Sequence, residues 1–392
     1  MAEVIVIGAG IVGASLTYRL AASGVRVSLL EAQHLGAGTS GSSFAWTNAN
    51  RKTPAAYFRL NVFGMAEHDR LVQEFGEAPW FHQSGNIEWT EDEEGWAELR
   101  SRVERLRAWG YASELINRDD IAHLEPDTVP PPRLEHAAHF PTEGHVDVPL
   151  LIGRLVREAT AARATVQTGC RVKALETRGG RVTGLRTSEG ERIAADVVVS
   201  CAGPWSDEIA RMVGIDLPLA PTVGLIAISS HSSVALRGIV HTPLLALRPD
   251  GAGRVMMRGE RFDRLVEAAT LTMPIPEACN EILRESIRVL PGLEGTRVEA
   301  ARVGIRPLPV DGLPVVGPLP GVEGMYLVCT HSGVTLGPFI GRVLANEIIT
   351  SRPDERLAPF RPERIVVPVQ RSNQFHDSGR PSNRPWEANG LP

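Results

Sequence analysis

The chain has 392 residues, 43% hydrophobic and 22% charged, which allows two domains or one large interleaved unit with a sizeable core. Its net charge of −5 argues against a nucleic-acid partner, because binding phosphates requires a basic surface. Four scattered cysteines and eleven dispersed histidines predict neither disulfides nor a metal site, and the absence of a signal peptide or an apolar run of about 18 residues predicts a cytoplasmic protein without a transmembrane segment.

The N-terminal segment predicts a strand, a glycine turn, a helix and a second strand. Residues 4–7 form a β-branched run typical of a strand buried on both faces, residues 14–22 have helical spacing, and residues 25–30 form the second strand. The turn has the pattern Gly-x-Gly-x-x-Gly, in which the first glycine permits the turn, the second admits a pyrophosphate and the third allows close packing. The predicted contacts with a dinucleotide in this turn are Gly8, Gly10, Ile11, Val12 and Gly13.

Glu31 ends the second strand, about 20 residues after the glycine turn. Its carboxylate can accept a hydrogen bond from a ribose 2′-hydroxyl, and an acid there disfavours the 2′-phosphate of NADP. The complete pattern predicts dinucleotide binding, with a ligand-free glycine turn as the alternative. The pattern does not distinguish FAD from NAD as the bound dinucleotide.

A second cluster of glycines and hydroxyls follows at residues 36–43 and can offer N–H groups to a further part of a long cofactor. The order acid, Gly-Thr-Ser, Ser-Phe-Ala and Asn resembles the D-amino acid oxidase and glycine oxidase (DAO) family, close to its D-amino acid dehydrogenase and sarcosine oxidase-like branches. In that family the segment runs from the diphosphate toward the flavin. The resemblance implies FAD contacts at Ala32, Gly38, Thr39, Ser40 and Ser43, with a Ser/Gly-rich surface loop as the alternative.

Two helices are predicted next, an amphipathic one at residues 54–74 and a charged one at 92–109. Strands at 171–175 and 181–185 then precede a strand at 193–200 that leads into Cys-Ala-Gly-Pro-Trp. This last strand resembles the family's strand that returns to the FAD sheet. The resemblance implies FAD contacts at Val172, Cys201, Ala202, Gly203 and Trp205. For Val172 a buried strand valine is the alternative.

Antiparallel strands are predicted at residues 223–229, 242–248 and 254–259, with a hairpin at 250–253 between the last two. Because these strands should line the substrate side, His241, Arg248 and Arg258 are candidate pocket residues.

The last motif is a strand at residues 325–330 followed by a glycine turn and a helix to about residue 349. A helix N-terminus of this kind is again suited to an anion. In the resembled family the turn lies against the flavin. The implied contacts are Ser332, Gly333, Val334, Thr335 and Leu336. Three ordered motifs from residue 4 to residue 349 favour FAD over NAD alone.

The resemblance implies oxidation of an amine or an amino or imino acid, with a hydride passing from the α-C–H to flavin N5 and the resulting imine hydrolysing. Arg306, in Gly-Ile-Arg-Pro, matches a family arginine that binds the substrate carboxylate near the cofactor, and an ion pair that structures the turn is the alternative. His331 can accept a proton, contact substrate, tune the flavin or be purely structural. Lys52 can favour superoxide formation or bind a substrate anion.

Together these elements predict an α/β fold, in which a Rossmann-like FAD-binding domain is interleaved with an antiparallel-sheet substrate domain. Residues 1–50, 142–215 and 300–355 are assigned to the FAD domain, and residues 51–141 and 216–299 to the substrate domain. Residues 356–392 form a C-terminal tail, expected to be loosely ordered or draped on the surface from about 370.

In the resembled family, oxidases of the sarcosine type attach the flavin to a cysteine near the position of Arg306. This stretch has no cysteine, so the resemblance implies non-covalent FAD. Oxygen or another acceptor can reoxidise it. Two other functions remain open, a flavin-carrying subunit of a multi-subunit amine dehydrogenase complex and an NAD-dependent dehydrogenase. A homo-oligomer and a partner subunit are both compatible with the sequence.

Overall fold

A mostly parallel six-stranded sheet and a larger mixed sheet dominate the computed structural model, which describes residues 3–269 and 275–369. The tail predicted from about residue 370 lies outside the described residues. In chain order the helices are α1 Ile11–Ala22, α2 Ala55–Phe75, α3 Glu93–Ala108, α4 Arg118–Leu124, α5 Val148–Ala161, α6 Ser206–Arg211, α7 Glu260–Ala269, α8 Ile275–Val289 and α9 Gly333–Thr350.

The strands are short, and most alternate with these helices or form hairpins. In chain order they are β1 Glu3–Ile7, β2 Arg26–Leu30, β3 Trp46–Thr47, β4 Phe81–His82, β5 Asn86–Glu88, β6 Glu114–Ile116, β7 Ala137–Phe140, β8 Gly144–Val146, β9 Thr165–Gln167, β10 Val172–Arg178, β11 Arg181–Thr187, β12 Arg192–Ala194, β13 Val197–Ser200, β14 Ile215–Asp216, β15 Thr222–Ser229, β16 Ile239–His241, β17 Ala246–Pro249, β18 Val255–Arg258, β19 Val298–Arg306, β20 Val315–Pro318, β21 Met325–Cys329 and β22 Val367–Pro368.

The six-stranded sheet has the order β20-β21-β13-β1-β2-β9, with every pair parallel except β20 with β21. The side chains of Val4 to Ile7 in β1 are all buried, as their β-branched character predicts for a central parallel strand. The chain leaves β1 toward β2 on one side and returns through β13 on the other. Ligands bind beside the carboxyl ends of the strands at such a switch point.

Helix α1 packs against α9 and α5 on one face of this sheet, and the side chains of Leu16, Leu20, Leu155 and Leu344 are fully buried in the core between them. Apolar positions repeat along α1 at helical spacing, so its buried stripe meets both neighbours. This packing fixes the direction in which the N-termini of α1 and α9 point. Both termini lie at the same edge of the sheet.

The eight-stranded sheet has the order β19-β15-β18-β17-β16-β5-β7-β6 and is antiparallel except where β16 meets β5. Strands β15 and β19 pair along nearly their whole length, from Thr222 opposite Arg306 to Ser229 opposite Val298. Helices α7 and α8 pack on this sheet. Two three-stranded sheets, β10-β11-β12 and β3-β8-β4, complete the principal architecture. The α/β fold predicted from the sequence is confirmed.

Two predicted strands differ in the structure, one being divided and the other shortened. The one at residues 193–200 becomes β12 and β13, because the chain breaks at Asp196, whose carboxylate accepts the N–H of Glu3 at 2.9 Å. The prediction of a strand at 242–248 was wrong for its first half, because the strand begins only at Ala246. Thr242 begins a turn, donating its N–H to the carbonyl of Leu245 at 2.8 Å, and only β17 continues as a strand.

The predicted assignment of segments to domains stays a prediction. Two elements pack across its boundaries. Strand β19 starts near the predicted FAD segment 300–355 but forms an edge of the eight-stranded sheet. Helix α2, predicted within the substrate insert, packs on α9 and buries Leu60 and Leu71 in the core of the six-stranded sheet. None of the helices within the described ranges is long and apolar enough to span a membrane.

Candidate active site

A deep cavity opens where four parallel strands end. The residues that follow β1, β2 and β13 all line it, as do residues on either side of the last position of β21. Its empty volume is about 1270 Å³, which includes space open to solvent, and its lining reaches from Gln33 after β2 to His331 before α9. The cavity is therefore large enough for an extended ligand.

Most of the predicted cofactor contacts line this cavity. They are Gly8, Gly10, Ile11, Val12, Glu31, Ala32, Gly38, Thr39, Ser40, Ser43, Val172, Cys201, Ala202, Gly203, Trp205, Gly333 and Val334. Five others do not line it, namely Gly13, Arg306, Ser332, Thr335 and Leu336. Among the predicted catalytic residues, His331 lines the cavity and Lys52 does not.

The glycine turn shapes the cavity floor through the absence of side chains. Gly8 has φ +100°, and a Cβ there would lie 2.6 Å from the carbonyl oxygen of Cys201. Gly13 brings α1 onto the turn, since its Cβ would stand 1.9 Å from the carbonyl oxygen of Gly8. That position explains why Gly13 supports the turn from behind and does not reach the cavity.

The N-terminus of α1 faces the cavity without a side-chain cap. Gly10 is its N-cap residue and the first turn carries no acid, so the positive end of the helix dipole remains available to an anion. The N–H of Ile11 donates to Oγ of Ser40 at 3.0 Å, which joins the second glycine and hydroxyl cluster to the same point. These features fit a pyrophosphate.

Glu31 braces the turn from the neighbouring strand. Its Oε2 accepts the N–H of Ala9 and its Oε1 the N–H of Gln33, both at 2.8 Å. The remaining lone pairs of the carboxylate can accept a ribose hydroxyl, since each oxygen has two acceptor sites. Val172, which is buried, lines the same part of the cavity. We call this part, residues 8–13 together with 31–43, the glycine end.

A second helix N-terminus, that of α9, enters the cavity beside that of α1, since a Cβ on Gly333 would lie 3.7 Å from a side-chain carbon of Ile11. Gly333 and Val334 line the wall, and Ser332 precedes them without capping the helix. The Oγ of Ser332 instead shares a 2.6 Å hydrogen bond with the hydroxyl of Tyr57 on α2. Thr335 and Leu336 are buried on the helix face turned away from the cavity. Two neighbouring helix N-termini without side-chain caps, and a cavity that extends from them to Glu31 and Val172, fit a long, doubly anionic dinucleotide such as FAD.

His331 stands at the cavity wall just before α9. The side chain of His331 is exposed in the open cavity, and partial desolvation by the protein atoms around it, together with the positive charges of Lys52, Arg306 and Arg258, lowers the pKa of His331 below its ordinary value. The imidazole is therefore neutral at pH 7 and a weak base. This favours hydrogen bonding over proton abstraction among the roles predicted for it.

Arg306 ends β19, next to the cavity residue Pro307, and its guanidinium lies across β15. One nitrogen donates to the carbonyl of Val223 at 2.8 Å and the other pairs with Asp263 Oδ2 at 2.5 Å. Gly224 makes room for it, because a Cβ there would lie 2.6 Å from Arg306. The ion pair that the sequence left as an alternative is thus present in the structure.

Arg258 shares this carboxylate, since its Nη2 lies 3.2 Å from the same Oδ2 of Asp263. The Nε of Arg258 is buried without a hydrogen-bond partner in the described part of the chain. The other two pocket candidates have hydrogen-bond partners within the protein, and their role toward substrate stays a prediction. Arg248 donates to the carbonyl of Phe44 at 2.7 Å, and His241, buried against Trp46, hydrogen-bonds Asn86 Oδ1 at 2.8 Å.

Lys52 follows the loop that leads from β3. Its ammonium lies 5.6 Å from the ring centroid of Tyr57, and burial lowers the pKa of Lys52 to about 8, against the opposing effect of Glu143. Because Tyr57 is bonded to Ser332, Lys52 is linked through one side chain to the wall that carries His331. We call Lys52, Arg258, Asp263, Arg306 and His331 the basic end; of these residues His331 lines the cavity and the other four do not.

Glu143 holds the loop that carries Lys52. Its fully buried carboxylate accepts N–H or O–H groups from several sides, including Tyr111 at 2.7 Å and the side chain of Asn50 at 2.9 Å. Further donors are Trp46 at 3.0 Å, Asn86 at 3.1 Å and the N–H of Asn50 at 3.2 Å. Burial raises the pKa of Glu143 to about 7, although these hydrogen bonds oppose the rise.

Neither Glu143 nor Asp263 was predicted from the sequence, because neither lies in a motif.

Two cysteines, Cys170 and Cys201, line the cavity, and Cys329 is buried with its sulfur 4.0 Å from the carbonyl oxygen of Pro307. Burial raises the pKa of Cys329 to about 12, so its thiol is protonated and unreactive. The expectation of non-covalent FAD stays a prediction. Within the described ranges no group of three or more potential metal ligands occurs.

Comparison with known proteins gives a consistent result. Residues 3–347 match the model of the DAO family, described as FAD dependent oxidoreductase. A glycine oxidase of Pseudomonas putida is 27% identical over 374 residues, covering 92% of this chain and 98% of that protein. The crystal structure of glycine oxidase from Geobacillus kaustophilus has a TM-score of 0.81 at 23% identity, covering 92% of this chain and 98% of that one. L-Amino acid deaminase from Proteus myxofaciens has a TM-score of 0.82 at 20% identity, covering 93% of both chains.

Proposed function

The chain belongs to the DAO family of FAD-dependent oxidoreductases, and from that premise we propose that it oxidises an amino or imino acid held at the basic end of its cavity. It is an FAD-dependent enzyme acting on CH–NH or CH–NH2 donors. The observation that carries the substrate assignment is the continuity of the cavity. One slot joins the glycine end to His331, beside which Arg258 and Arg306 lie.

FAD, when bound, supplies the acceptor for the two electrons that leave the substrate. We assign its phosphates to the N-terminus of α1 with Ser40, its ribose to Glu31 and its ring to the wall formed by Gly333 and Val334. Thr39 supports this path by donating its hydroxyl to the carbonyl of Ile305 in β19. These residues exclude water and fix one orientation of the cofactor.

Arg306 and Arg258 are the proposed carboxylate partners. A guanidinium pairs bidentately with a carboxylate, and such a bond fixes the orientation of the α-C–H as well as binding the substrate. Asp263 holds both guanidinium groups in place through one oxygen while its other oxygen accepts the N–H of Leu225 at 2.8 Å. Neutral His331 is proposed to hydrogen-bond the substrate amine, which must lose its extra proton before it is oxidised.

Product analysis tests this proposal. Purified protein loaded with FAD is incubated in air with pools of amino acids, N-alkyl amino acids and the corresponding 2-hydroxy acids, and the carbonyl product and ammonia or amine are measured. We expect carbonyl product and released nitrogen in equal amounts from one amine pool, and none from the hydroxy acids. Oxidation of the hydroxy acids alone would contradict the proposal.

The electron acceptor and the assembly state are separate proposals. Hydrogen peroxide formed in equal amount with carbonyl product would identify oxygen as the acceptor. Product that forms only when an artificial acceptor dye is added would favour a dehydrogenase that works with a partner subunit. The NAD-dependent alternative from the sequence is set aside, since the matched family is FAD-dependent.

A further inference from the structure

The N-terminus of α9 has a serine at the capping position that does not cap the helix. Ser332 is the N-cap residue, where a serine side chain commonly accepts an N–H of the first helical turn. In the described part of the chain its hydroxyl accepts no such N–H, and its backbone has ψ +34° in place of the usual extended value. The N–H groups left open belong to the first turn, of which Gly333 and Val334 line the cavity.

Three other helices of this chain are capped by a side chain. Asp92, Asn117 and Asp147 precede α3, α4 and α5, all with extended backbone, and each accepts an N–H of the first turn at 2.7 to 3.1 Å. The two helices whose N-termini face the cavity differ from these. Helix α1 begins after Gly10, which has no side chain, and α9 begins after a serine whose side chain is bonded elsewhere.

The hydroxyl of Ser332 is held by Tyr57 of α2. The two hydroxyl oxygens lie 2.6 Å apart, and both residues are buried, where a hydroxyl without a partner is costly. The N–H of Ser332 is fixed as well, since it donates to Oγ1 of Thr330 at 3.2 Å. These two bonds keep Ser332 out of the geometry that a cap requires.

One face of α2 sets the position of this turn. Tyr57, Gly64 and His68 lie on that face, at the spacing that aligns residues along a helix. A Cβ on Gly64 would lie 2.4 Å from the carbonyl oxygen of Thr335, so the two helices approach closely there, and His68 hydrogen-bonds the carbonyl of Val334 at 2.9 Å. The hydroxyl of Tyr57 is the part of this contact that reaches the residue before the helix.

An open N-terminus has a chemical use at this wall. A hydride carries two electrons and one proton, so its transfer from the substrate to a neutral flavin ring leaves one negative charge on the ring. The positive end of a helix dipole stabilises a negative charge beside it. A side-chain oxygen bonded to the same N–H groups would weaken that stabilisation.

We infer that Tyr57 is a positioning residue for the flavin, because by binding the hydroxyl of Ser332 it keeps the N-terminus of α9 open and so favours the reduced ring. This inference rests on the proposed placement of the ring at Gly333 and Val334. Tyr57 does not line the cavity and acts through Ser332 alone. Its hydroxyl should therefore matter only while Ser332 has a hydroxyl of its own.

The first test follows the cap itself. Amide hydrogen exchange is measured by mass spectrometry on the oxidised, FAD-loaded protein, in peptides that cover the first turn of α9. Tyr57→Phe keeps the ring that Lys52 contacts but releases the hydroxyl of Ser332. We expect exchange in this turn to slow by about threefold or more, as a new N-cap hydrogen bond implies. Adding Ser332→Ala should remove the slowing.

The second test measures the reduction potential of the FAD-loaded protein against a reference dye. In Tyr57→Phe we expect the equilibrium constant for two-electron reduction to fall by about three- to tenfold, a tenfold fall being a potential about 30 mV more negative. Ser332→Ala alone should leave the potential unchanged, and Tyr57→Phe with Ser332→Ala should restore it. The control is Tyr18→Phe, which removes a tyrosine hydroxyl bonded to Glu74 and should change neither measurement.

Unchanged exchange in Tyr57→Phe would overturn the inference, because Tyr57 would then not be what keeps Ser332 from capping. A lowered potential that persists in the double variant would also overturn it, since Tyr57 would be acting without Ser332. Slower exchange with an unchanged potential would remove the flavin ring from this end of α9 and contradict the inference, while amine oxidation shown by product analysis would still stand.

Discussion

The two ends of the cavity are built from different parts of the polypeptide. At the glycine end the groups offered to a ligand are backbone N–H groups and short hydroxyls, supplied by two contiguous segments after β1 and β2. At the basic end His331 lines the cavity, and the charged side chains of Lys52, Arg258, Asp263 and Arg306, which do not line it, come from segments far apart in the chain. One end is defined by the absence of side chains and the other by their charges.

This difference separates cofactor retention from substrate selection. A site made of backbone N–H groups is damaged only where a new side chain fills it or where its helix moves. A site made of charged side chains is altered by any single change of charge, since a partner left behind is buried without compensation. Variants at the glycine end should therefore lose bound FAD, whereas variants at the basic end should keep FAD and bind substrate more weakly.

The largest effect is expected at the glycine end. Gly10→Val places a branched side chain at the uncapped N-terminus of α1, where even a Cβ would lie 3.0 Å from Oγ of Ser40. We expect the purified variant to contain no FAD, measured as flavin absorbance per protein. The control is Gly153→Val, an exposed helix position at which a Cβ meets nothing within 4 Å. A fully loaded Gly10→Val protein would remove the α1 turn from the cofactor site.

The second effect belongs to the basic end. Arg306→Met removes a charged hydrogen-bond donor and leaves Asp263 paired with Arg258 alone. We expect substrate affinity to fall by about 2–3 kcal/mol, a factor of roughly 30–150, with FAD content unchanged. The loss of substrate affinity is measured as the steady-state KM and by anaerobic titration of the flavin absorbance with substrate. Arg288→Met, an exposed arginine paired with Glu285, serves as the control. An unchanged affinity in Arg306→Met would place Arg306 outside the substrate site.

The third effect concerns the support behind Lys52. Glu143→Gln places an amide N–H2 among donors that need an acceptor, so one buried donor is left unsatisfied. We expect the free energy of unfolding to fall by about 1–3 kcal/mol in urea titrations of the FAD-loaded protein. The control is Glu135→Gln, whose side chain is 84% exposed. No loss of stability in Glu143→Gln would mean that the carboxyl is already protonated and donates a hydrogen bond itself.

The smallest effect concerns the wall behind α9. The Nε2–H of His68 donates to the carbonyl of Val334 at 2.9 Å, and burial lowers the pKa of His68 to about 4. Because the unfolded chain takes up a proton near pH 6.5 and the folded one does not, stability falls as the pH drops from 6.5 toward 4. We expect a loss of about 1 kcal/mol between pH 6.5 and 5.5 that is missing in His68→Gln, measured by urea unfolding at each pH. Identical pH profiles would show that His68 is not held neutral.

The glycine end could be predicted from the sequence because its motifs are local. A strand, a Gly-x-Gly-x-x-Gly turn and an acid at the next strand specify one another's positions, so residues such as Gly10 and Glu31 lie on the cavity as expected. Two predicted contacts on α9, Thr335 and Leu336, do not line the cavity. Helical periodicity turns Thr335 and Leu336 into the core after Gly333 and Val334 reach the cavity.

The basic end could be predicted only in part, because its geometry depends on pairing between distant strands. Arg306 was recognised from a short motif, yet its partner Asp263 becomes visible only when β15 and β19 pair and α7 packs on them. Glu143 lies in a turn between β7 and β8 with no sequence signal, and its importance follows from the donors that converge on it. Side-chain charge sites of this kind need the tertiary structure.

The most direct measurement is the visible spectrum of the purified protein during anaerobic addition of amino and imino acids, with the matching 2-hydroxy acids as controls. The account predicts a flavin band that bleaches with an amine substrate and stays unchanged with its hydroxy counterpart. A colourless protein that added FAD does not restore, or a flavin bleached only by hydroxy acids, would contradict it.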